Sequence, residues 1–378
     1  MGFFLSIYMV EQLGLSKGDA GFIMVLAYIA WHFKFFIGLL MDATPPVGTW
    51  RRRVYVLAGR ILTVAGVLML MGARDPWTEV FPAALLVFSS DAVVDIAADA
   101  LLLDVAPPEY HGLGFGMGWS GRAIGYVVAS LISGLAMEAY GWETSLALYV
   151  LYSLPALIVL AVREPPVIEE RKISKRVIGE TFTDPALLVV YLFAIFGASI
   201  YTLDPNRGIL PLVVRECMGG AKYDVWAVAA VFGIGAAVGS PLTGRLADLI
   251  EHKRAYFISL AGAVATVAAW AFAPPNPTLV YVLLFVMGFF EGFNFTVWEA
   301  LLGDSCPPEF PAFMFQYFMS ALHVTAFVLG VVVSSGMGIM GLRGTMLLAA
   351  GYLAIGFIPA ALLKPVRTGK VARLMEGE

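Results

Sequence analysis

Asp91, Asp95 and Asp99 recur at every fourth residue of FSSDAVVDIAADALLLDVAPPE, residues 88–109. On a helix they form one stripe. The flanks are apolar, FPAALLVF before and ALLL after, which places the stripe at membrane depth. A carboxylate there costs roughly 2.5–3.5 kcal/mol on insertion scales, so three on one face must look into a bundle interior or a wet cavity. Acids in such a place take up protons, meet buried cations or accept hydrogen bonds from a solute. The stretch returns two hundred residues later as FEGFNFTVWEALLGDSCPPE, residues 290–309. Glu291 and Glu299 stand for Asp91 and Asp99, and Asp104, Pro107, Pro108 and Glu109 recur as Asp304, Pro307, Pro308 and Glu309. Asn294 lies with Glu291 and Glu299 at helical spacing.

Three cations stand in or beside apolar runs as counterparts: Lys34, Arg122 and Arg207. Arg122, set among Gly118, Gly121 and Gly125, is expected to meet Asp95 or Asp99, either as a structural ion pair or as part of a proton or substrate site. Lys34 either shares that work or snorkels toward the nearer membrane face. Arg207 belongs to DPNRG, residues 204–208, which interrupts an apolar run; it reads either as a broken helix of the kind that marks many transporter sites or as an extracellular loop with a later re-entrant piece. His32 and His323 read as hydrogen-bonded core histidines, with proton relay as the alternative. Gly114, Gly118, Gly121 and Gly125 read as a close-packing face.

The elements that must position these groups follow from composition. Sixty per cent of the residues are hydrophobic and only 14% are charged, which no soluble domain of this length shows. A net charge of −4 and two distant cysteines speak for neither a nucleic-acid partner nor a disulfide framework. Apolar stretches of spanning length fall at 18–41, 54–71, 78–103, 112–137, 143–162, 184–214, 224–247, 255–273, 278–302, 311–338 and 343–363. Residues 1–10 add a partial span. Glu11, Gly14, Lys17 and Asp19 match Glu216, Gly219, Lys222 and Asp224, so the opening residues correspond to the second half of segment 184–214. The expectation is an all-α polytopic membrane protein of twelve helices in two parallel six-helix repeats, the first helix N-terminally truncated. The domains are 1–163 and 184–364, joined by a charged linker at 164–183 and followed by a tail at 365–378. Basic residues crowd the loop at 51–53, the linker and the tail, which predicts both termini in the cytoplasm.

After the second span Gly38 and Asp42 precede Arg51, Arg52 and Arg53; after the eighth Gly244 and Asp248 precede Arg254. The glycine permits close helix approach, and the aspartate either pairs with the basic cluster or caps a neighbouring helix, closing the cytoplasmic face in one state. This duplicated pattern resembles the signature of the major facilitator superfamily. Within it, WHFKFFIGLLMDATPP followed by RRRVY, DIAADALLLD, and GWSGRAIG around Trp119, Arg122 and Gly125 resemble the folate-biopterin transporter family, best over residues 5–135. The second half carries the superfamily pattern alone.

That resemblance implies the major-facilitator fold and a secondary active transporter with alternating access. Its substrate would be a small organic solute such as a folate- or pterin-like anion, with protons as the coupling ion. Muropeptide and acetyl-CoA permeases share part of the pattern and remain an alternative, as does a non-transporting membrane assembly protein of the same fold. No ATP-binding loop is present, so an ion gradient is the expected driving force. No nucleophile–base pair or metal spacing points to an enzyme, and no cofactor is expected. The expected partners are the solute, protons and the lipid bilayer of the cell membrane, and the expected state is a monomer.

Overall fold

A computed structural model describes residues 5, 8–10, 12–15, 17–164, 179, 183–203, 214, 217–218, 225–306 and 311–364. Among them the secondary structure is helical, apart from one isolated bridge between Val47 and Trp50. The helices are α1 (Lys17–Ala27), α2 (Ile29–His32), α3 (Lys34–Ala43), α4 (Arg53–Gly72), α5 (Phe81–Val105), α6 (His111–Tyr140), α7 (Trp142–Ser153), α8 (Pro185–Gly197), α9 (Val225–Ile250), α10 (His252–Trp270), α11 (Pro277–Asp304), α12 (Pro311–Met319), α13 (Ala321–Ala354) and α14 (Phe357–Leu362). Six described segments are long and apolar enough to cross a membrane: Arg53–Gly72, Pro76–Val105, His111–Met137, Trp142–Ala161, Pro277–Asp304 and Ile339–Leu362.

Local chemistry sets the ends. Asp184 and Asn276 cap α8 and α11, each followed by proline at the first helical position, where its missing N–H costs nothing. Asp75 caps the turn that leads into α5 by accepting from the N–H groups of Trp77 and Thr78. The predicted span 18–41 is broken into α1, α2 and α3, and the backbone tightens to i→i−3 bonds at Tyr28–Trp31 and Phe33–Phe36. Gly341, with φ of 65°, divides α13 between the two predicted spans 311–338 and 343–363, a conformation glycine adopts without a Cβ clash. Helix α8 stops at Gly197, earlier than the interruption expected at 204–208, which lies outside the described residues.

The chain forms two compact units. Unit 1 comprises Met1–Val105, Val128–Lys172 and Phe310–Tyr317; unit 2 comprises Ala106–Val127, Ile173–Glu309 and Phe318–Glu378. Unit 1 is built on the antiparallel pair α4 and α5, with one apolar core around Val67, Val87, Phe88 and Trp142 and another around Met41, Val56, Ile96 and Ala312. Unit 2 is built on α9 and α11, with a core around Phe232, Val267, Trp270, Leu284 and Met287. Within α9, Pro241 has no N–H for the Ala237 carbonyl four residues back. The Ser120 hydroxyl donates to that carbonyl at 2.8 Å, so the break leaves no buried acceptor unpaired.

Close packing in α6 falls on a different face from the one expected. Gly118, Gly121 and Gly125 have no described atom within 4 Å of an added Cβ, whereas such an atom at Gly112 or Gly116 would lie 2.7 Å from the Gly244 carbonyl or 2.5 Å from that of Ser240. His32 is exposed, with Nδ1 3.0 Å from the Tyr28 carbonyl, and does not belong to the core. Trp298 is fully buried.

Candidate functional site

In unit 1 the aspartate stripe of α5 meets a different partner at each turn. The tightened backbone before α3 brings Trp31 and Lys34 to α5. Trp31 Nε1 donates to the Phe88 carbonyl at 2.9 Å, and Lys34 Nζ stands 5.0 Å from the Trp31 ring centroid and 2.6 Å from Asp95 Oδ2. Lys34 is buried, only 6% exposed, so the pair is desolvated and its two charges depend on each other. Asp91, one turn earlier, accepts from Arg60 at 2.9 Å, from Thr63 at 3.3 Å and from the Tyr149 hydroxyl. Asp99, one turn later, accepts from Gln316 Nε2 at 2.9 Å. The stripe thus runs from a carboxylate held by a cation and two hydroxyls, through one paired with Lys34, to one that accepts from the Gln316 amide.

In unit 2, Arg122 stands over Trp119, 4.9 Å from the ring centroid, and Trp119 stacks on Phe295 at 4.1 Å with Tyr201 edge-on at 5.5 Å. Trp119 Nε1 is buried and has no hydrogen-bond partner among the described residues. Glu291, Asn294 and Glu299 are all buried on α11; Asn294 Nδ2 donates to Ser259 Oγ at 3.2 Å. Arg207 lies outside the described residues.

The duplicated Gly–Asp pattern builds one junction in each unit. In unit 1, a Cβ on Gly38 would come within 2.6 Å of the Ala312 carbonyl, so only glycine allows that approach. Asp42 accepts from the Phe313 N–H at 2.8 Å, at the start of α12, and from Arg52 Nη2 at 2.7 Å; Arg52 Nε donates to Asp104 Oδ2 at 2.8 Å. Arg51 lies 3.9 Å from Asp42 and 4.0 Å from Asp104. Arg53 turns away, donating from Nε to Glu164 at 3.1 Å. In unit 2, a Cβ on Gly244 would lie 2.2 Å from the Gly112 carbonyl. Asp248 accepts from the N–H groups of Gly112 and Leu113 at 2.9 and 2.8 Å, at the start of α6. The residue bridging Asp248 and Asp304 is His252, while Arg254 forms an exposed pair with Glu251 at 3.2 Å.

Spacing alone missed Arg60, Tyr149, Gln316, Glu164, His111 and His252. Arg60 was within reach, because it is a cation inside the span 54–71 and the rule that singles out Lys34 applies to it equally. His252 opens the basic run HKR in the second copy; only its contacts separate it from Arg254.

This arrangement contains buried, paired ionisable groups on apolar helices and, among the described residues, no cluster of metal-ligating side chains. Likeness to known proteins agrees with a transport role. The chain is 26% identical over 349 residues to multidrug resistance protein MdtG of Yersinia enterocolitica, covering 89% of this chain and 82% of that protein. It is 26% identical over 153 residues to the folate-biopterin transporter of a Synechocystis strain, covering 40% of this chain and 31% of that one. The fold matches the crystal structure of the E. coli fucose:proton symporter FucP with a TM-score of 0.74 at 12% identity, over 96% of this chain and 95% of that one. The description of the Major Facilitator Superfamily matches residues 1–216 and 208–376. With both junctions built on the duplicated Gly–Asp pattern and the match running the length of the chain, this multi-pass membrane protein belongs to the major facilitator superfamily and is a transporter rather than an enzyme.

Proposed function

We propose that the chain is a secondary carrier that moves a small organic anion together with protons, opening its site alternately to the two faces of the cell membrane. The observation that carries this reading is the buried Lys34–Asp95 pair at 2.6 Å. Removing either charge alone takes away the counter-charge that its buried partner meets here. A proton on Asp95 frees Lys34, and an anionic group of the solute then takes the place of the carboxylate. Proton and anion enter as a neutral set, whereas either alone leaves a net charge at depth. That charge balance couples the two movements without a further device.

Asp99, met by the neutral Gln316 amide, is the acceptor for a solute donor or a second proton. Asp91, held by Arg60, Thr63 and Tyr149, fixes α4, α5 and α7 and takes a positioning role. The two sequence repeats, 1–163 and 184–364, are the moving halves, joined by the linker at 164–183, and the working unit is a monomer. Arg122, Glu291, Asn294 and Glu299 are the second repeat's candidates for substrate or proton contact. Arg51 and Arg52, with the two Gly–Asp pairs, form the cytoplasmic gate.

For the solute, a folate- or pterin-like anion would place a carboxylate on Lys34 and an amino-pyrimidine edge on a carboxylate of the stripe. The motifs in residues 5–135 and the likeness to the folate-biopterin transporter over 40% of the chain support it. A second reading, a carrier of drug-like amphiphiles, draws on the likeness to multidrug resistance proteins over 89% of the chain.

Uptake into proteoliposomes tests the mechanism. Asp95→Asn and Lys34→Met should each abolish proton-driven accumulation and lower stability by about 3–5 kcal/mol. The double variant Lys34→Met/Asp95→Leu should recover most of that stability and none of the transport. Accumulation that survives Asp95→Asn would overturn the assignment. Thermal-shift screening against folates, pterins, muropeptides, nucleotides and cationic amphiphiles decides the solute class, because only a true ligand raises the melting temperature in proportion to its occupancy.

A further inference from the structure

Unit 2 holds a chain of four titratable groups, of which the transport reading uses Asp248 alone, in the gate. His111 Nε2 faces the Ala106 carbonyl at 3.2 Å, and its Nδ1 faces Asp304 Oδ1 at 2.9 Å. Asp304 Oδ2 faces His252 Nδ1 at 2.6 Å, and His252 Nε2 faces Asp248 Oδ1 at 2.9 Å. Each of these four contacts joins two atoms that accept when unprotonated, so each needs one hydrogen, whichever atom carries it. Two neutral imidazoles and two carboxylates supply only two hydrogens. The remaining two contacts would then set lone pair against lone pair inside the protein. His111 and His252 are 5% and 8% exposed, so water does not replace the missing bonds. The geometry therefore requires two protons beyond the neutral-imidazole state.

We propose that His111, Asp304, His252 and Asp248 form a proton-binding site that takes up two protons from solvent, and that the junction of α6, α9, α10 and α11 closes fully only when both are bound. Both ring nitrogens of each histidine then donate, and the site is a neutral alternation of two imidazolium ions and two carboxylates. Asp304, whose side chain is 31% exposed, is where protons enter and leave. The unit 1 junction makes the contrast. There Arg52 bridges Asp42 and Asp104 at 2.7 and 2.8 Å, with a charge that does not titrate. The same architecture is thus a permanent lock in one unit and a proton-dependent one in the other.

The surrounding charges leave this balance in place. Asp248 also accepts from the Gly112 and Leu113 N–H groups. Glu251 and Arg254 pair with each other at the surface, Lys253 donates to the Ala361 and Leu363 carbonyls, and Arg245 and Glu109 are exposed. Burial pulls His252 toward neutrality, but the hydrogen bonds and charges of Asp304 and Asp248 outweigh it and hold its pKa above the ordinary value. A raised folded-state pKa contributes stability that is complete below about pH 6.5 and is lost as pH rises through the folded value.

The chain has four histidines, so 15N-histidine labelling of the purified protein in detergent gives four ring systems, assignable by substitution. At pH 6.5 two of them should carry hydrogen on both nitrogens, and His252→Gln should remove one of these signatures while His111, still between Asp304 and the Ala106 carbonyl, keeps the other. The melting temperature of the native protein should fall as pH rises from 6 to 8.5, and His252→Arg should flatten that fall. Neutral tautomers for His111 and His252 at pH 6.5, or a pH profile of melting that His252→Arg leaves unchanged, would overturn the proposal. These readouts involve no transport, so their failure is distinct from failure of the carrier mechanism. If the topology proposed above holds, the protons exchange with the cytosol and the junction responds to cytosolic pH.

Discussion

Glu164 illustrates how one side chain outside the apolar spans ties down the entrance to a helix. Its carboxylate accepts from the backbone N–H groups of Arg51, Arg52 and Arg53 and from Arg53 Nε, and its side chain is 3% exposed. These are donors that the start of α4 would otherwise leave unpaired. Burial pushes the carboxyl pKa up, but the three backbone N–H groups and Arg53 outweigh it and hold the value below the ordinary range. A depressed folded-state pKa contributes stability that is present above the unfolded value near 4.3 and is lost as pH falls through the folded value. Glu164→Gln should therefore cost about 1–2 kcal/mol at pH 7. The gap between variant and native melting temperatures should close as pH falls below about 4, which a pH series of thermal melts checks.

Elements in this protein come together through backbone contact as much as through side chains. On α9 and α11, Gly235 and Gly239 oppose Gly288 and Gly292. A Cβ on Gly288 would lie 2.0 Å from the Phe232 carbonyl oxygen, and one on Gly235 would lie 2.2 Å from that of Phe285. The obstructing atoms are main chain and cannot rotate away, so the two helices would have to separate. Gly288→Ala should lower stability by more than about 3 kcal/mol or abolish folded yield. Gly118→Ala, with no described atom within 4 Å, should be neutral or add up to about 1 kcal/mol of helix propensity. Parallel melts of the two variants separate contact from propensity, since both make the same chemical change.

At the scale of the whole molecule, the apolar spans and the uneven loop charge predict the topology. Basic residues concentrate at 51–53, 163–176 and 253–254 and are sparse in the loops assigned to the other face, the bias that retains a loop in the cytoplasm. In a Cys217→Ser/Cys306→Ser background, Glu170→Cys should react with a membrane-impermeant thiol reagent only from the cytoplasmic side. Glu143→Cys, at a half-exposed side chain, should react only from outside. The reverse pattern would invert the proposed orientation and place the His111–His252 cluster on the external face.

Apolar spans, the duplicated Gly–Asp pattern and the repeated AlaLeuLeu–Asp–ProPro stretch determined by themselves that this is an all-α, internally repeated membrane transporter, because lipid accepts only helices that satisfy their own backbone and excludes charge from their outer faces. The four-residue spacing likewise determined that Asp91, Asp95 and Asp99 share a face. Tertiary structure alone decided what each of them meets: Lys34 for Asp95, Gln316 for Asp99, Arg60 and Tyr149 for Asp91. It also made His252, rather than Arg254, the bridge in the second junction, and moved the close-packing glycines of α6 to Gly112 and Gly116. The reason is geometric. Periodicity within one helix fixes which residues point the same way, but a partner's identity depends on how a second helix, distant in sequence, is rotated and advanced against it, and that is set by packing of the whole unit.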